Sequence, residues 1–417
     1  MFSSTNHWRA LLALAGLACL VAAACSPVPE LLRRGDELVA QQKYAEALQA
    51  YAEADRHEKE TVEGICRAGE LQLRLGNLDQ AQQAFEHALE KAPRAFRPYI
   101  GLARVYRQRN LLEAAAGAIE KAIEVAPLQV EPRHEKGLLL KQMGDRHAAL
   151  QIFEKASAMN PAYAPSQMER ANLLFAAGEL QKALEAYMAV VRVDPANAQA
   201  LVQMGRIFIL ARNPLRAMDV LEKASRLDRG NAWAHFYLAE ALLADRKNER
   251  AVQKLHDALR LNPKLGLAYV RLGQVYEANL LKGRAYDAYQ RGVEADPSCF
   301  EAFYNLARLQ LEGGKFPQAA DTLSRALKVN PECLDCSLLL GKLKLEQKKY
   351  REAVEVLEQV TQKDYQNNEA HFQLARAYLA LGMLAKATAE YNALVMANDA
   401  ERAQKLYQML QRAEQRK

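Results

Sequence analysis

Six cysteines, two tryptophans and 14 prolines are spread through 417 residues. So few cysteines exclude a disulfide-stapled scaffold. Twenty glycines and 14 prolines are too few for a collagen-like or low-complexity chain. The apolar stretch from Ala10 to Ala24 covers 15 residues, short for a membrane-spanning helix, which needs about 20. Charge of one sign is also lacking. Fifty-six basic residues against 50 acidic ones give +6, a mild excess without the clustering of a nucleic-acid-binding surface. No GxxxxGK, GxSxG or HExxH occurs, and Gly313-Gly314-Lys315 lacks the spacing of a phosphate loop. The histidines are scattered, with no pair at metal-ligand spacing; His235 and His371 occupy equivalent positions and read as packing residues. These absences predict no enzyme, cofactor, metal, nucleic acid or small-molecule substrate.

What is abundant is helix-forming: Ala, Leu, Glu, Gln, Lys and Arg dominate. An alanine recurs every 34 residues without insertion, at 47, 81, 115, 149, 183, 217, 251, 285, 319, 353 and 387. Four residues later stands a large apolar side chain: Tyr51, Phe85, Ile119, Phe153, Tyr187, Leu221, Leu255, Tyr289, Leu323, Leu357 and Tyr391. Twelve residues before each alanine stands Gly or Ala, from Gly35 to Ala375. Twelve after it, seven copies carry proline: Pro93, Pro127, Pro161, Pro195, Pro263, Pro297 and Pro331. Within each unit the apolar spacing predicts two helices with a break between. In copy seven they cover roughly residues 232–244 and 249–261. Small residues let the two backbones approach, the large residue fills the space beside the crossing, and proline stops the second helix. A single pair cannot bury its apolar face alone; stacked pairs form one continuous core.

This pattern resembles the tetratricopeptide repeat family over residues 28 to 401. The resemblance implies an all-α fold: a right-handed superhelical solenoid of about eleven helix-turn-helix repeats. The array is placed at 30–401 and a C-terminal capping helix at 402–417, with Ala403, Leu406, Leu410 and Ala413 on one face. In this family the first helix of each pair lines a concave groove that binds proteins or peptides. The corresponding positions here give Arg206, Trp233, Phe236, Tyr237, Arg271, Tyr304, Arg308, Lys342 and Arg376 as partner-binding candidates. Aromatics beside arginines suit an extended peptide with apolar side chains and acidic groups. For Phe236 and Leu243, packing between neighbouring first helices stands as an equal alternative. The family's carboxylate-clamp pattern is absent.

The N-terminal segment "MFSSTNHWRALLALAGLACLVAAAC" has one basic residue, Arg9, then the apolar stretch and the small residues Ala22, Ala23 and Ala24. This reads as a signal peptide over 1–24. Cys25 then resembles the lipidated cysteine of bacterial lipoproteins, with Ala22 where that family usually has Leu. Simple cleavage and an uncleaved anchor are the alternatives. Residues 25–29 read as a tether. In that family, Ser26 rather than Asp after the cysteine fits outer-membrane sorting. The expectation is an exported outer-membrane lipoprotein facing the periplasm, held to the membrane by its lipid, or else a soluble periplasmic protein. Its resemblance to lipoproteins of exopolysaccharide export and of pilus or secretin assembly implies an interaction scaffold for an envelope complex. A peptide-binding chaperone and a targeting subunit of an enzyme complex are the alternatives. Cys333 and Cys336 form a CxxC at a helix start, which an oxidising periplasm would allow to close as a local disulfide.

Overall fold

A computed structural model describes residues 27–57 and 62–415. The expected signal peptide over 1–24 and Cys25 lie outside the described residues. All regular structure among them is helical, in 23 helices. Helices α1 to α10 are Val28–Ala40, Tyr44–His57, Glu63–Arg74, Leu78–Lys91, Phe96–Gln108, Leu112–Val125, Glu131–Gln142, Arg146–Met159, Ala164–Ala176 and Leu180–Val193. Helices α11 to α17 are Ala198–Leu210, Pro214–Leu227, Ala232–Ala244, Asn248–Leu261, Gly266–Ala278, Lys282–Ala295 and Phe300–Glu312. Helices α18 to α23 are Phe316–Val329, Leu334–Glu346, Tyr350–Lys363, Asn368–Ala380, Leu384–Met396 and Ala400–Glu414. Odd-numbered helices up to α21 are the first members of eleven pairs, even-numbered ones the second. The chain divides into two compact units at Ala200 and Leu201, within α11.

Each pair closes on the same contact. All eleven periodic alanines have no exposed surface. The large residues following them are buried from Tyr51 to Leu357; the last, Tyr391, is half-buried. At Gly35, Gly69, Gly137, Gly205, Gly273 and Gly341 the large side chain lies against the small residue of the first helix. A Cβ added to Gly273 would stand 2.3 Å from the Tyr289 ring, and one on Gly137 would stand 2.6 Å from the Phe153 ring. Such distances leave no room for a methyl group unless the helices move apart. In unit one the Phe85 ring also lies 2.3 Å from the Cβ position of Gly101, on the first helix of the next repeat. One aromatic ring therefore joins two repeats.

Two turns recur with equal regularity. Between the helices of every pair, one residue has positive φ: glycine at 76, 144, 178, 314 and 382, and Gln42, Asn110, Arg212, Arg246, Leu280 and Lys348 elsewhere. The next residue's N–H reaches back five positions, as from Lys247 to the Leu242 carbonyl at 2.9 Å. This left-handed cap satisfies carbonyls that the helix end leaves open. Between pairs, an Asn or Asp at 160, 194, 228, 262, 296, 330 and 364 accepts a hydrogen bond from the backbone N–H two residues on, at 3.0 to 3.2 Å. Copies six and ten, which carry Arg229 and Tyr365 in place of proline, keep this turn through Asp228 and Asp364. The side-chain acceptor redirects the chain without a proline ring.

The tether boundary needs correction. Helix α1 begins at Val28, which is buried, and Pro29 sits in its first turn. A proline there loses only an N–H that has no helical partner. At the other end, α23 starts at Ala400, packs on α21 and α22, and buries Ala403, Leu406 and Leu410. His371 is buried and bonds Glu390 at 2.5 Å and the Tyr365 carbonyl at 3.0 Å. His235 is half-buried, 3.9 Å from Asp257.

Two glycine substitutions test the close approach. Gly273→Ala is expected to cost about 1–3 kcal/mol through overpacking against Tyr289. Gly117→Ala, in α6 with nothing within 4 Å of the added Cβ, is expected to stabilise by roughly 0.5–1 kcal/mol. Urea midpoints of the two variants should move in opposite directions.

Candidate functional site

Successive first helices pack on one another in both units: α3 on α5 and α5 on α7 in the first, α15 on α17, α17 on α19 and α19 on α21 in the second. This makes the first-helix side continuous over α3–α7 and over α15–α21. Its most prominent apolar feature in unit two is an aromatic group on α13. Trp233 is 41% exposed. Its ring stacks on Tyr237 at 5.7 Å and meets Phe236 edge-on at 5.6 Å. The guanidinium of Arg206, from α11, lies 5.1 Å from the centre of the Tyr237 ring and donates to Gln203 at 2.7 Å. Burial pushes the Tyr237 hydroxyl pKa up. Arg206, Trp233 and Tyr237 thus present one amphipathic surface, with Leu267 half-buried at the equivalent of Trp233 in the next repeat.

Phe236 belongs elsewhere. At 2% exposure it is a core side chain, and it supports Trp233 from beneath instead of meeting a partner. Val270, one repeat on at the same position, is also buried. That position turns toward the neighbouring first helix, so an apolar residue there fills the repeat interface.

The remaining basic candidates already have carboxylates. Arg271 donates to Glu240 at 2.6 Å, Arg308 to Glu277 at 2.6 Å and to Glu312 at 3.0 Å. Lys342 pairs with Glu369 at 2.7 Å, and Arg376 meets Glu346 at 3.5 Å and Gln373 at 2.6 Å. Most of these ion pairs bridge first helices of successive repeats. Unit one has the same device, with Arg104 and Arg107 both 2.7 Å from the nearly buried Glu135. Arginines that sequence reading offers to an acidic ligand are therefore neutralised by the protein itself. Tyr304 is half-buried against the core around Phe303, and burial pushes its hydroxyl pKa up. Nothing joins Tyr304, Arg308, Lys342 or Arg376 to the Trp233 group. Repeat spacing shows which face a residue takes; it does not show that a carboxylate about 31 positions away takes the same charge.

Among the described residues no group of His, Cys, Asp or Glu is arranged to hold a metal ion, and no helix is long and apolar enough to cross a membrane. Cys333 and Cys336 are joined as a disulfide in the first turn of α19. Cys66 and Cys299 are buried free thiols whose pKa values burial pushes up to about 12 and about 11. Neither is a poised nucleophile.

Models described as "Tetratricopeptide repeat" match residues 66–129, 140–206, 236–300 and 344–410, together more than half of the chain. A model described as "Anaphase-promoting complex, cyclosome, subunit 3" matches residues 272–360. The chain is a tetratricopeptide repeat protein, and repeats of this kind bind proteins and peptides. Among solved structures, a tetratricopeptide repeat protein from Parabacteroides merdae is 17% identical, covering 60% of this chain and 98% of its own, with a TM-score of 0.50. Yeast Tom70 is 13% identical over 93% of this chain and 96% of its own, with a TM-score of 0.47. PilF of Pseudomonas aeruginosa is 17% identical over 52% of this chain and 97% of its own, with a TM-score of 0.45. The first likeness is one of fold. No curated protein matches the sequence.

The ion pairs between repeats have a measurable signature at Glu277. Burial pushes its carboxyl pKa up, but hydrogen bonds from Arg308 and Tyr289 outweigh this and hold it below its ordinary 4.5. A carboxylate with a lowered folded pKa stabilises above the unfolded value, and the effect is lost as pH falls through the folded one. Glu277→Gln should therefore lower stability at pH 7 by about 1–3 kcal/mol. The gap to the parent protein should close as acid titration passes below 4.5, read as denaturant midpoints across pH.

Proposed function

We propose that this protein is an interaction scaffold of the bacterial cell envelope, exported and anchored through a lipid on Cys25. It holds a partner polypeptide on the first-helix face of its second unit and so helps assemble or stabilise an export or pilus/secretin-type complex. The observation that carries the contact site is the stack of Arg206, Tyr237 and Trp233, which keeps a large indole exposed in a fixed orientation. Preorganised aromatic and arginine side chains are the usual anchors of protein interfaces. The apolar stretch before Cys25 and the small residues at 22–24 support export. Ala22 in place of leucine favours a second reading, simple cleavage leaving a soluble periplasmic peptide-binding protein.

Photo-crosslinking from position 233 in cells should trap one predominant partner, and Trp233→Ala should weaken that complex at least tenfold with unchanged helicity. A complex indifferent to both Trp233→Ala and Arg206→Ala would remove this face from consideration. Membrane fractionation of Cys25→Ser tests the anchor separately. The variant should move to the soluble periplasmic fraction, and its persistence in the outer membrane would refute lipidation at this residue.

A further inference from the structure

Second helices of successive repeats do not pack on each other as first helices do. Between α14 and α16 this leaves a cleft of about 450 Å³. Its floor is the outward face of α15, where Tyr269, Leu272 and Tyr276 follow helical spacing. Arg260 stands on the α14 wall, and Arg284 and Arg291 stand two turns apart on the α16 wall. A second cleft of about 590 Å³ shares Tyr276 and continues along α14 toward Arg246 and Arg250. Together they form an elongated trough with an apolar floor and cationic sides.

The charges here contrast with those on the first-helix face. Arg284 and Arg291 are exposed and make no ion pair with any carboxylate among the described residues. Asp287 lies between them on α16 and bonds to neither. Arg260 is shared with Asp257 at 3.0 Å, Arg250 pairs with Glu222 of α12 at 3.4 Å and Lys247 with Asp245 at 2.7 Å, and Glu249 lines the far end of the trough, so in the first cleft Arg284 and Arg291 are the guanidiniums that carry the free charge. Apart from the Arg260–Asp257 pair, the first cleft holds two guanidiniums against one carboxylate, Asp287. We infer that this trough is a second docking site, on the side opposite the Trp233 face, for an extended polypeptide segment in which acidic side chains alternate with aliphatic or aromatic ones. Alternate side chains of an extended chain point to opposite sides, so an apolar residue can seat on Tyr269 and Tyr276 while its neighbours reach the walls. Arg284 and Arg291 then form charge-assisted, bidentate bonds to carboxylates. A compact anionic headgroup would satisfy the arginines but leave the apolar floor and the continuation past Tyr276 empty. The chemistry thus favours a peptide.

The test uses the full chain and a fluorescein-labelled peptide of sequence Glu-Leu-Glu-Tyr-Glu-Leu-Glu, followed by anisotropy. Binding should be saturable and should weaken with added salt. It should fall at least tenfold in the Arg284→Glu, Arg291→Glu double variant and stay unchanged in Trp233→Ala. The milder Arg284→Gln, Arg291→Gln pair should lose less, and it carries the test if charge reversal disturbs the circular dichroism spectrum. Four results overturn the inference: no saturable binding; equal binding of the peptide with lysine in place of glutamate; loss of binding in Trp233→Ala but not in the arginine variants; or phosphatidylglycerol vesicles binding through these arginines while the peptide does not.

Discussion

The structure depends on how closely two helices can approach within a pair. Glycine or alanine at one point of the first helix leaves space that a single large side chain of the second helix occupies, sixteen residues on. Burial of this side chain is nearly complete in ten copies, so each pair has little freedom to separate or slide. Everything else is placed by that contact. The left-handed turn follows from the need to reverse direction within three or four residues, and the Asx turn from the need to start the next pair in the same register. Because the constraint is met in steps of 34 residues, the first helices adjoin one another and leave gaps between the second helices.

Around α15 and α16 the two sides also differ in how their charges are paired. Where first helices adjoin, a basic residue on one helix lies within reach of an acidic residue on the next, and the two neutralise each other. Arg271 with Glu240 and Arg308 with Glu277 are such pairs. They set the spacing between repeats and draw little free charge into the surface. Where second helices stand apart, Arg284 and Arg291 have no carboxylate opposite them. Unpaired guanidinium groups therefore stand in the looser cleft between α14 and α16, while the first-helix side exposes the Trp233 ring.

Much of the fold was legible in the sequence because one residue pair per repeat dictates it, and both members have distinctive sizes. The periodic alanines and the Gly and Ala partners marked the helix pairs, and the structure places these residues in the core. The turn at Asp228 and Asp364 was not legible from the proline pattern, because its acceptor is the Asp preceding the proline position. The site was less legible. Trp233 and Arg206 could be placed on the first-helix face by position alone. For Phe236 the sequence left contact and packing between first helices as equal alternatives, since burial of an apolar residue three positions from Trp233 depends on the neighbouring helix, and the structure buries it. The pairing of Arg308 with Glu277 depends on the offset between adjacent repeats, which the period does not encode. The cleft between α14 and α16 involves residues from two repeats that share no motif.

The constancy of the repeat length has a consequence for how such a chain can change. Removing one whole copy leaves the backbone register intact, so the array can shorten in fixed quanta without a new loop. Side chains decide which quanta are tolerated. Excising residues 300–333 brings Lys342 to the place of Arg308, opposite Glu277, and the charge match survives. Excising 266–299 instead brings Arg308 opposite Leu243, and the carboxylate from the neighbouring repeat is gone, leaving only Glu312 of its own helix. Repeats with identical backbones are thus not interchangeable. The sequence carries a local grammar, written in charge, about which copy follows which.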